Sequence, residues 1–455
     1  MANRLPVQRT AAGWALAPGG LVTALRPVME SRDGVWVGWD GGSRNAPRSL
    51  PSMQIGLRPV KLSATAVSEY YHGFSNRTLW PLLHNAIERP VFDRQWWATY
   101  RDVNARFADA AVAALDDVDD ALLWVHDYQL LLTPDLVRRA RPDQPIGFFL
   151  HVPFPAPDIF ARLPWRVDVL LGMLGADVVS FHTEPYRKNF VRSCGRLLRE
   201  VTVRGTDLVM PDGRRVRTTA SPISVDAATI RTSARSATVD AEVAALAEQF
   251  EGRTVLLGVD RLDYTKGIIE RLLAFELLLE QRPELVGDVA LVQIAVPSRD
   301  DVQEYRDLRD TVERMVGRIN GRFTQPGDDV PVHYLYRSLP PERLYAYYAF
   351  ADVMLVTPLI DGMNLVAKEY VVVQGARKGA GALVLSEFTG AALELREAVP
   401  CNPFDVHGLA TQLEVALALD PESRRRANRS MANRVHRNDV HAWLDGQLGA
   451  IAPEH

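Results

Sequence analysis

The stretch Asp352-Val-Met-Leu-Val-Thr-Pro-Leu-Ile-Asp361-Gly-Met-Asn364-Leu-Val-Ala-Lys368-Glu369 decides the fold. Val353 to Val356 is an apolar run too short for a helix and rich in β-branched residues, so it reads as a buried strand. Asp361-Gly362 is turn chemistry, with the glycine free to take positive φ, and a helix follows from about Asn364 to Gln374. A helix starting just past the carboxyl end of a parallel strand aims unpaired N–H groups and its positive dipole end into the crevice where such sheets bind ligands. Phosphates and sugar hydroxyls suit that place. Glu369, about one and a half turns further on, is within reach of a ribose. The competing reading is an ordinary strand-to-helix turn with a capping Asn364 and a solvated Lys368-Glu369 pair.

At 455 residues the chain is too long for one core, so two or three domains are expected. Apolar content of 47% and charged content of 24% match an ordinary globular chain. The 52 basic and 56 acidic side chains leave a net charge of −4, which speaks against nucleic-acid and acidic-membrane partners. Cys194 and Cys401 lie far apart without metal-ligand spacing. They fit a reducing compartment rather than a disulfide framework or a zinc site. No signal peptide or membrane-spanning apolar run is visible, and a cytoplasmic location is expected.

Upstream, Met1-Ala-Asn3-Arg4-Leu-Pro6-Val has loop chemistry. Pro18-Gly19-Gly20-Leu21 leads into a helical run to about Met29; paired glycines there let backbone approach a ligand, or simply make a flexible turn. Trp36-Val-Gly-Trp39 reads as a short strand. Tyr70-Tyr71-His-Gly-Phe74-Ser-Asn76-Arg-Thr-Leu-Trp80-Pro81 reads as an aromatic-rich loop, its rings core anchors or walls of a sugar site. From Ala121 the pattern is strand, helix, strand. Leu122 to Val125 runs into His126-Asp127-Tyr128, Ile146 to Leu150 into His151, and Asp177 to Phe181 into His182. Polar residues at the carboxyl ends of successive apolar strands are where α/β domains place ligand chemistry. The bland alternatives are a packing histidine at His151 and a helix cap at Asp127.

A Ser/Thr/Ala-rich stretch near Ser221 to Asp240 reads as an inter-domain connection. A second series opens with Val255-Leu-Leu-Gly-Val-Asp260-Arg261-Leu-Asp263-Tyr-Thr265-Lys266-Gly267. Arg261 and Lys266 flank a glycine-bearing turn at a helix start and make an anion cradle for a diphosphate; the alternative is two solvated charges. Strand Val289 to Val296 ends in Pro297-Ser298-Arg299. Further strands are expected at Val332 to Tyr336, Ala382 to Leu385 and Ala398 to Cys401, with a second strand-to-helix turn at Ser386 to Ala391. The sequence has no Walker A motif, GxGxxG or nucleophile elbow, and no Asp-x-Asp metal motif at a strand end, so neither a metal site nor a cofactor is expected. The pattern as a whole is α/β, with two Rossmann-like domains facing each other across a cleft.

These residues resemble the retaining glycosyltransferases that make trehalose 6-phosphate. The likeness spans nearly the whole chain and rests on long motifs: Gly19-Gly20-Leu21, Phe74 through Pro81, Trp124 through Tyr128, Phe148 through His151, Val259 through Gly267, Arg318 through Gly321, Asp361 through Glu369 and Leu385 through Ala391. The resemblance implies a glycosyltransferase B-type fold. An acceptor-binding domain would cover residues 1–226, a nucleotide-sugar-binding domain 227–437, and a last helix, 438–455, would cross back to the first domain.

It also implies metal-independent transfer of glucose from UDP-, ADP- or GDP-glucose to glucose 6-phosphate, forming α,α-trehalose 6-phosphate. Catalytic roles fall to Arg261, Lys266, Asp127 and His151. The donor would be held by Gly19, Gly20, His151, Arg261, Lys266, Asp361, Gly362, Met363, Asn364, Leu365, Val366 and Glu369. The acceptor would be held by Arg4, Trp39, Tyr71, Trp80, Asp127 and Arg299. Glycerol 3-phosphate as acceptor and an inactive sugar-phosphate-binding regulatory subunit are the alternatives; the complete acceptor set and the retained Arg261, Lys266, Asp361 and Glu369 weigh against both. The donor base and any homo-oligomer stay open. Two departures stand out. The family has an apolar strand before Asn-Arg where this chain begins at Met1-Ala2, so the first strand is expected to be missing: either the start is truncated, or Arg4 is poorly anchored and the first domain weakened. Ile360 also replaces an arginine common before Asp-Gly.

Overall fold

The computed structural model describes residues 1–455 except 11–12, 18–21, 23–24, 26–33, 43–45, 50–54, 119, 300–301, 326, 328 and 453–455. The expected Gly19-Gly20 donor contact and most of the helical run to Met29 lie outside the described residues. The chain divides into two compact units, Met1–Ile223 with Val440–His455, and Ser224–Asp439.

In the first unit, β1 (Val7–Thr10) and β2 (Gly13–Leu16) form an antiparallel hairpin, and β3 (Gly34–Trp39) and β4 (Ile55–Val60) a parallel pair. A six-stranded sheet follows, built from β5 (Leu123–His126), β6 (Ile146–Leu150), β7 (Val178–Phe181), β8 (Thr202–Arg204), β9 (Asp207–Val209) and β10 (Arg215–Ala220). Its order is β5-β6-β7-β10-β9-β8, parallel from β5 through β10 and antiparallel beyond. All five residues of β6 are buried, as expected of a parallel strand covered on both faces.

The first five residues are better held than the sequence suggests. Met1 N donates to Trp124 O (2.7 Å) and Met1 O accepts from His126 N (3.0 Å), which pairs the segment with β5. Ala2 N donates to Val37 O (3.1 Å), Asn3 O accepts from Trp39 N (2.9 Å) and Leu5 N donates to Trp39 O (2.9 Å), which pairs it with β3. The backbone groups at the ends of β3 and β5 are therefore satisfied. Gly38 makes this approach possible, since a Cβ there would lie 2.5 Å from Leu5 N.

The aromatic loop expected over Tyr70 to Pro81 is instead helical: a π-helix, Val67–Leu79, continued by an α-turn, Trp80–Leu83. Trp80 N–H bonds Ser75 O, five residues back. Ser75, Asn76 and Thr78 are buried on this helix beside Tyr70 and Phe74, so polar and apolar positions do not alternate with a 3.6-residue period. A search for that period therefore misses it. Phe74 packs on α1 (Arg94–Leu115), its ring 4.5 Å from Tyr100 and 5.2 Å from Trp97.

The second unit is one parallel sheet of β11 (Thr254–Arg261), β12 (Val289–Val296), β13 (Val332–Tyr336), β14 (Val353–Val356), β15 (Ala382–Ser386) and β16 (Val399–Cys401). The order β13-β12-β11-β14-β15-β16 reverses direction between β11 and β14, the place where doubly wound sheets open a ligand crevice. α2 (Ile268–Gln281) follows β11 and α3 (Leu365–Arg377) follows β14. The stretch read as a connection over Ser221 to Asp240 carries two helices, Ala227–Ser233 and Ala237–Gln249, capped by the side chains of Asp226 and Ser236. The break between the two units, after Ile223, falls within that stretch; beyond it the alanines serve as helix formers and Asp226 and Ser236 as caps.

The last helix, α4 (Val440–Ile451), belongs to the first unit. Trp443 packs its ring 5.3 Å from Trp124 and 5.1 Å from Phe149, beneath the carboxyl ends of β5 and β6. Trp443→Ala should cost about 3–5 kcal/mol by removing a buried ring. The check is a lower urea midpoint, with amides of Ile146–Leu150 losing hydrogen-exchange protection first.

Candidate active site

The second unit gathers its site residues at the β11/β14 reversal. After β11, Gly267 takes a left-handed conformation (φ 63°) and starts α2; a Cβ there would lie 2.0 Å from Thr357 O. That close approach brings the two turns together: Lys266 Nζ lies 2.6 Å from Asp361 Oδ2, with both side chains largely buried. Leu359 N donates to Thr265 O (2.8 Å), so the backbones are joined as well. On the other side the β15 turn holds the same loop. Asp361 N donates to Phe388 O (3.1 Å), Ala391 N to Met363 O (2.8 Å), and Ser386 Oγ to Pro358 O (2.7 Å).

The residue with positive φ in this loop is Asn364 (φ 71°), not Gly362. Asparagine tolerates that region because its side chain bonds locally. Asn364 Oδ1 accepts from Ala367 N (3.1 Å), capping α3, while Nδ2 donates to Asp361 Oδ2 (3.1 Å). The capping reading and the ligand-site reading of Asn364 are thus compatible: the cap fixes the carboxylate. Lys368, a solvated charge in the competing reading, is fully buried and paired with Glu394 at 2.8 Å. Ile360 is buried as well.

Arg261 is exposed at the end of β11, while Arg299 is drawn inward. Arg299 Nη1 lies 3.1 Å from Asp263 Oδ2, its guanidinium over the Tyr305 ring. Asp263 also accepts from Tyr305 OH (3.0 Å) and caps Thr265. Burial opposes its ionisation, yet Arg299, Arg261 and Lys266 hold its carboxyl down to about 2. Asp263 is thus the buried counter-charge of the basic cluster. The sequence reading quoted it without a role; a buried acid between two cations at a strand end was the available signal.

In the first unit Trp39 ends β3, Asp127 follows β5 and His151 follows β6, while Arg4 pairs with Trp39 from the amino-terminal segment and Tyr71 and Trp80 lie on the helical run after β4. Arg4 stacks its guanidinium 4.6 Å above the Trp39 ring, and Trp36 Nε1 donates to Arg4 O (2.9 Å). Tyr71 lies 6.1 Å from Trp39 between centroids, and Trp80 lies 5.6 Å from Tyr128. Asp127 Oδ1 accepts from His151 N (3.2 Å). His151 Nε2 meets His126 Nδ1 at 3.0 Å, and its carbonyl meets His182 Nε2 at 3.1 Å. Burial, and then the neighbouring imidazoles, push His126 and His151 well below the usual histidine range, so both rings are neutral near pH 7. A neutral His151 orients by hydrogen bonding and carries no charge. His126 and His182 are named at strand ends in the sequence but are given no role there.

Glu369 accepts from Tyr348 OH at 3.1 Å, and burial pushes its carboxyl up to about 7. An unfolded glutamate ionises near 4.5, so ionising Glu369 costs stability between those pH values, and the full cost persists above 7. Glu369→Gln should therefore stabilise the protein at about pH 8, by up to roughly 3 kcal/mol, and should do nothing at about pH 4. Urea midpoints at the two pH values check this.

Among the described residues no helix is long and apolar enough to cross a membrane, and no group of three or more His, Cys, Asp or Glu is arranged to hold a metal ion. The sequence profile of glycosyltransferase family 20 matches residues 2–452. A trehalose-6-phosphate synthase of Mycolicibacterium gilvum is 47% identical, over 99% of this chain and 93% of that protein. The crystal structure of an α,α-trehalose-phosphate synthase (UDP-forming) from Burkholderia xenovorans in complex with glucose-6-phosphate is similar at a TM-score of 0.90 and 34% identity, covering 99% of each chain. An Escherichia coli structure described as bound with UDP-2-fluoro glucose is similar at a TM-score of 0.89 and 36% identity, covering 97% of this chain and 98% of that one. With a profile match over nearly its full length and relatives of this identity, the chain belongs to glycosyltransferase family 20.

Proposed function

We propose that the chain transfers glucose from UDP-glucose to glucose 6-phosphate, forming α,α-trehalose 6-phosphate with retention at the anomeric carbon. The observation that carries this reading is the buried Lys266–Asp361 pair at the sheet reversal, next to exposed Arg261 and the amino end of α3. Breaking the bond between glucose and a diphosphate builds positive charge on the anomeric carbon and negative charge on the departing phosphate. Arg261, Lys266 and the first N–H groups of α3 would receive that negative charge, which is electrostatic catalysis by prearranged donors. Asp361 and the backbone from Gly362 to Val366 would grip the glucose, with His151, and Glu369 would bond the ribose hydroxyls.

For the acceptor, Arg4, Tyr71, Trp80 and Arg299 would hold the phosphate, while Trp39 and Asp127 orient the sugar. Arg299 would leave or share Asp263 to do so. Among donors, uridine is favoured because the relatives with solved structures are described as UDP-forming or as bound to a UDP sugar. In this reading the acceptor hydroxyl attacks from the leaving-group face, so positioning of the two sugars replaces a side-chain nucleophile.

Nucleotide release from UDP-, ADP- and GDP-glucose, with glucose 6-phosphate or glycerol 3-phosphate as acceptor, tests the reading. Turnover is expected with UDP-glucose and glucose 6-phosphate; turnover only with glycerol 3-phosphate, or with no pair, would overturn it. Lys266→Ala should lower kcat about a hundredfold or more, by analogy with loss of an oxyanion donor. Near-normal turnover would remove Lys266 from the mechanism. Asp361→Asn should mainly weaken use of the sugar, leaving affinity for free UDP little changed.

A further inference from the structure

We propose that Tyr100 and Asn104 are positioning residues for Asp127, holding it in a backbone conformation that it would not keep unaided. The inference rests on the reading of Asp127 as an acceptor contact. Asp127 has φ 75° and ψ 169°, a region that residues with a side chain rarely enter and that glycine supplies almost alone. Such strain persists only where the surroundings over-determine the backbone.

Here they do, and two side chains account for most of it. Tyr100 and Asn104 lie four apart on α1, on one helical face, and both are fully buried. Tyr100 OH donates to Tyr128 O (2.8 Å), the carbonyl directly after Asp127, and accepts from Leu131 N (3.1 Å). Asn104 Nδ2 donates to Gln129 O (3.1 Å), and its Oδ1 accepts from Leu132 N (3.1 Å) and Thr133 Oγ1 (3.0 Å). The turn after Asp127 is therefore bonded to α1 at nearly every residue from 128 to 133. Tyr128 is gripped at its other end too, its hydroxyl donating to Asn76 Oδ1 at 2.9 Å on the π-helix.

On its near side Asp127 N donates to Phe149 O at 2.8 Å, which ties it to β6. Asp127 thus sits between two bonded anchors, β6 at its own N–H and α1 through the residues after it. The carboxylate is left directed at His151 N–H. A turn that needed only to connect β5 to the next helix would have no reason to carry aspartate at this φ; glycine would serve without strain.

Four proteins separate positioning from general packing: the wild type, Tyr100→Phe, Asp127→Ala and the double variant. Tyr100→Phe keeps the ring and removes both hydroxyl bonds. It should raise KM for glucose 6-phosphate roughly tenfold while leaving KM for UDP-glucose within about twofold. In the Asp127→Ala background the same change should have no further effect on acceptor kinetics, because there is no carboxylate left to aim. Asp127→Gly should melt higher than Asp127→Ala, the reverse of the usual glycine penalty, because only glycine relaxes at this φ.

Normal acceptor kinetics in Asp127→Ala would overturn the reading of Asp127, and the inference with it. A defective Asp127→Ala beside a normal Tyr100→Phe would overturn the inference alone. So would additive effects in the double variant, or equal losses for donor and acceptor, since those mark a structural role. An Asp127→Gly protein that melts below Asp127→Ala would remove the strain on which the inference stands.

Discussion

The pairing of Lys266 with Asp361 is the constraint around which the second unit is built. It spans the point where strand order reverses, so each partner comes from a different half of the sheet. Its geometry needs the left-handed Gly267, whose missing side chain lets the β11 turn touch Thr357 after β14. It also needs the loop from Pro358 to Met363 to be tied to the β15 turn by backbone bonds. A buried ion pair is poor evidence for stability, because desolvating both charges offsets most of their attraction. This pair reads better as a charge kept in waiting. An arriving diphosphate would compete with Asp361 for Lys266 in a setting where water screens little. Behind it, Arg271 and Asp260 form a fully enclosed pair at 2.7 Å, braced by Gln293 and Thr357, which holds the base of the crevice.

The first unit reaches its geometry by other means. Its expected site residues sit on segments whose backbone departs from ordinary strand and helix: the short paired segment Met1 to Leu5, the π-helix carrying Tyr71, and the strained Asp127. Each is held by buried polar side chains, including Tyr70 OH on Asn3 Oδ1 at 2.9 Å and Tyr128 OH on Asn76 Oδ1. Buried side-chain bonds of this sort cost much to leave unmade, so they specify one arrangement. The contacts among His126, His151 and His182 add a layer of directed bonds, and the His126 and His151 rings add no charge near pH 7.

Residue order alone determined the alternation of strands and helices and the family. Apolar runs such as Val289 to Val296 and Val353 to Val356 are bounded by turn residues, and burial on both faces makes them continuous, so their ends are legible. The motif residues were legible for the same local reason: Lys266-Gly267 and Asp361 to Glu369 lie at strand ends that the pattern marks. Tertiary structure alone decided what those residues touch. It turned Lys368 inward to Glu394, gave the positive φ to Asn364, made a π-helix of an aromatic stretch, and set Asp263 as the counter-ion of three cations. Periodicity reports which residues are buried along one element. Which buried charge finds which partner, and where the backbone must strain to let it, depends on segments a hundred residues apart closing on one another, and no local pattern carries that.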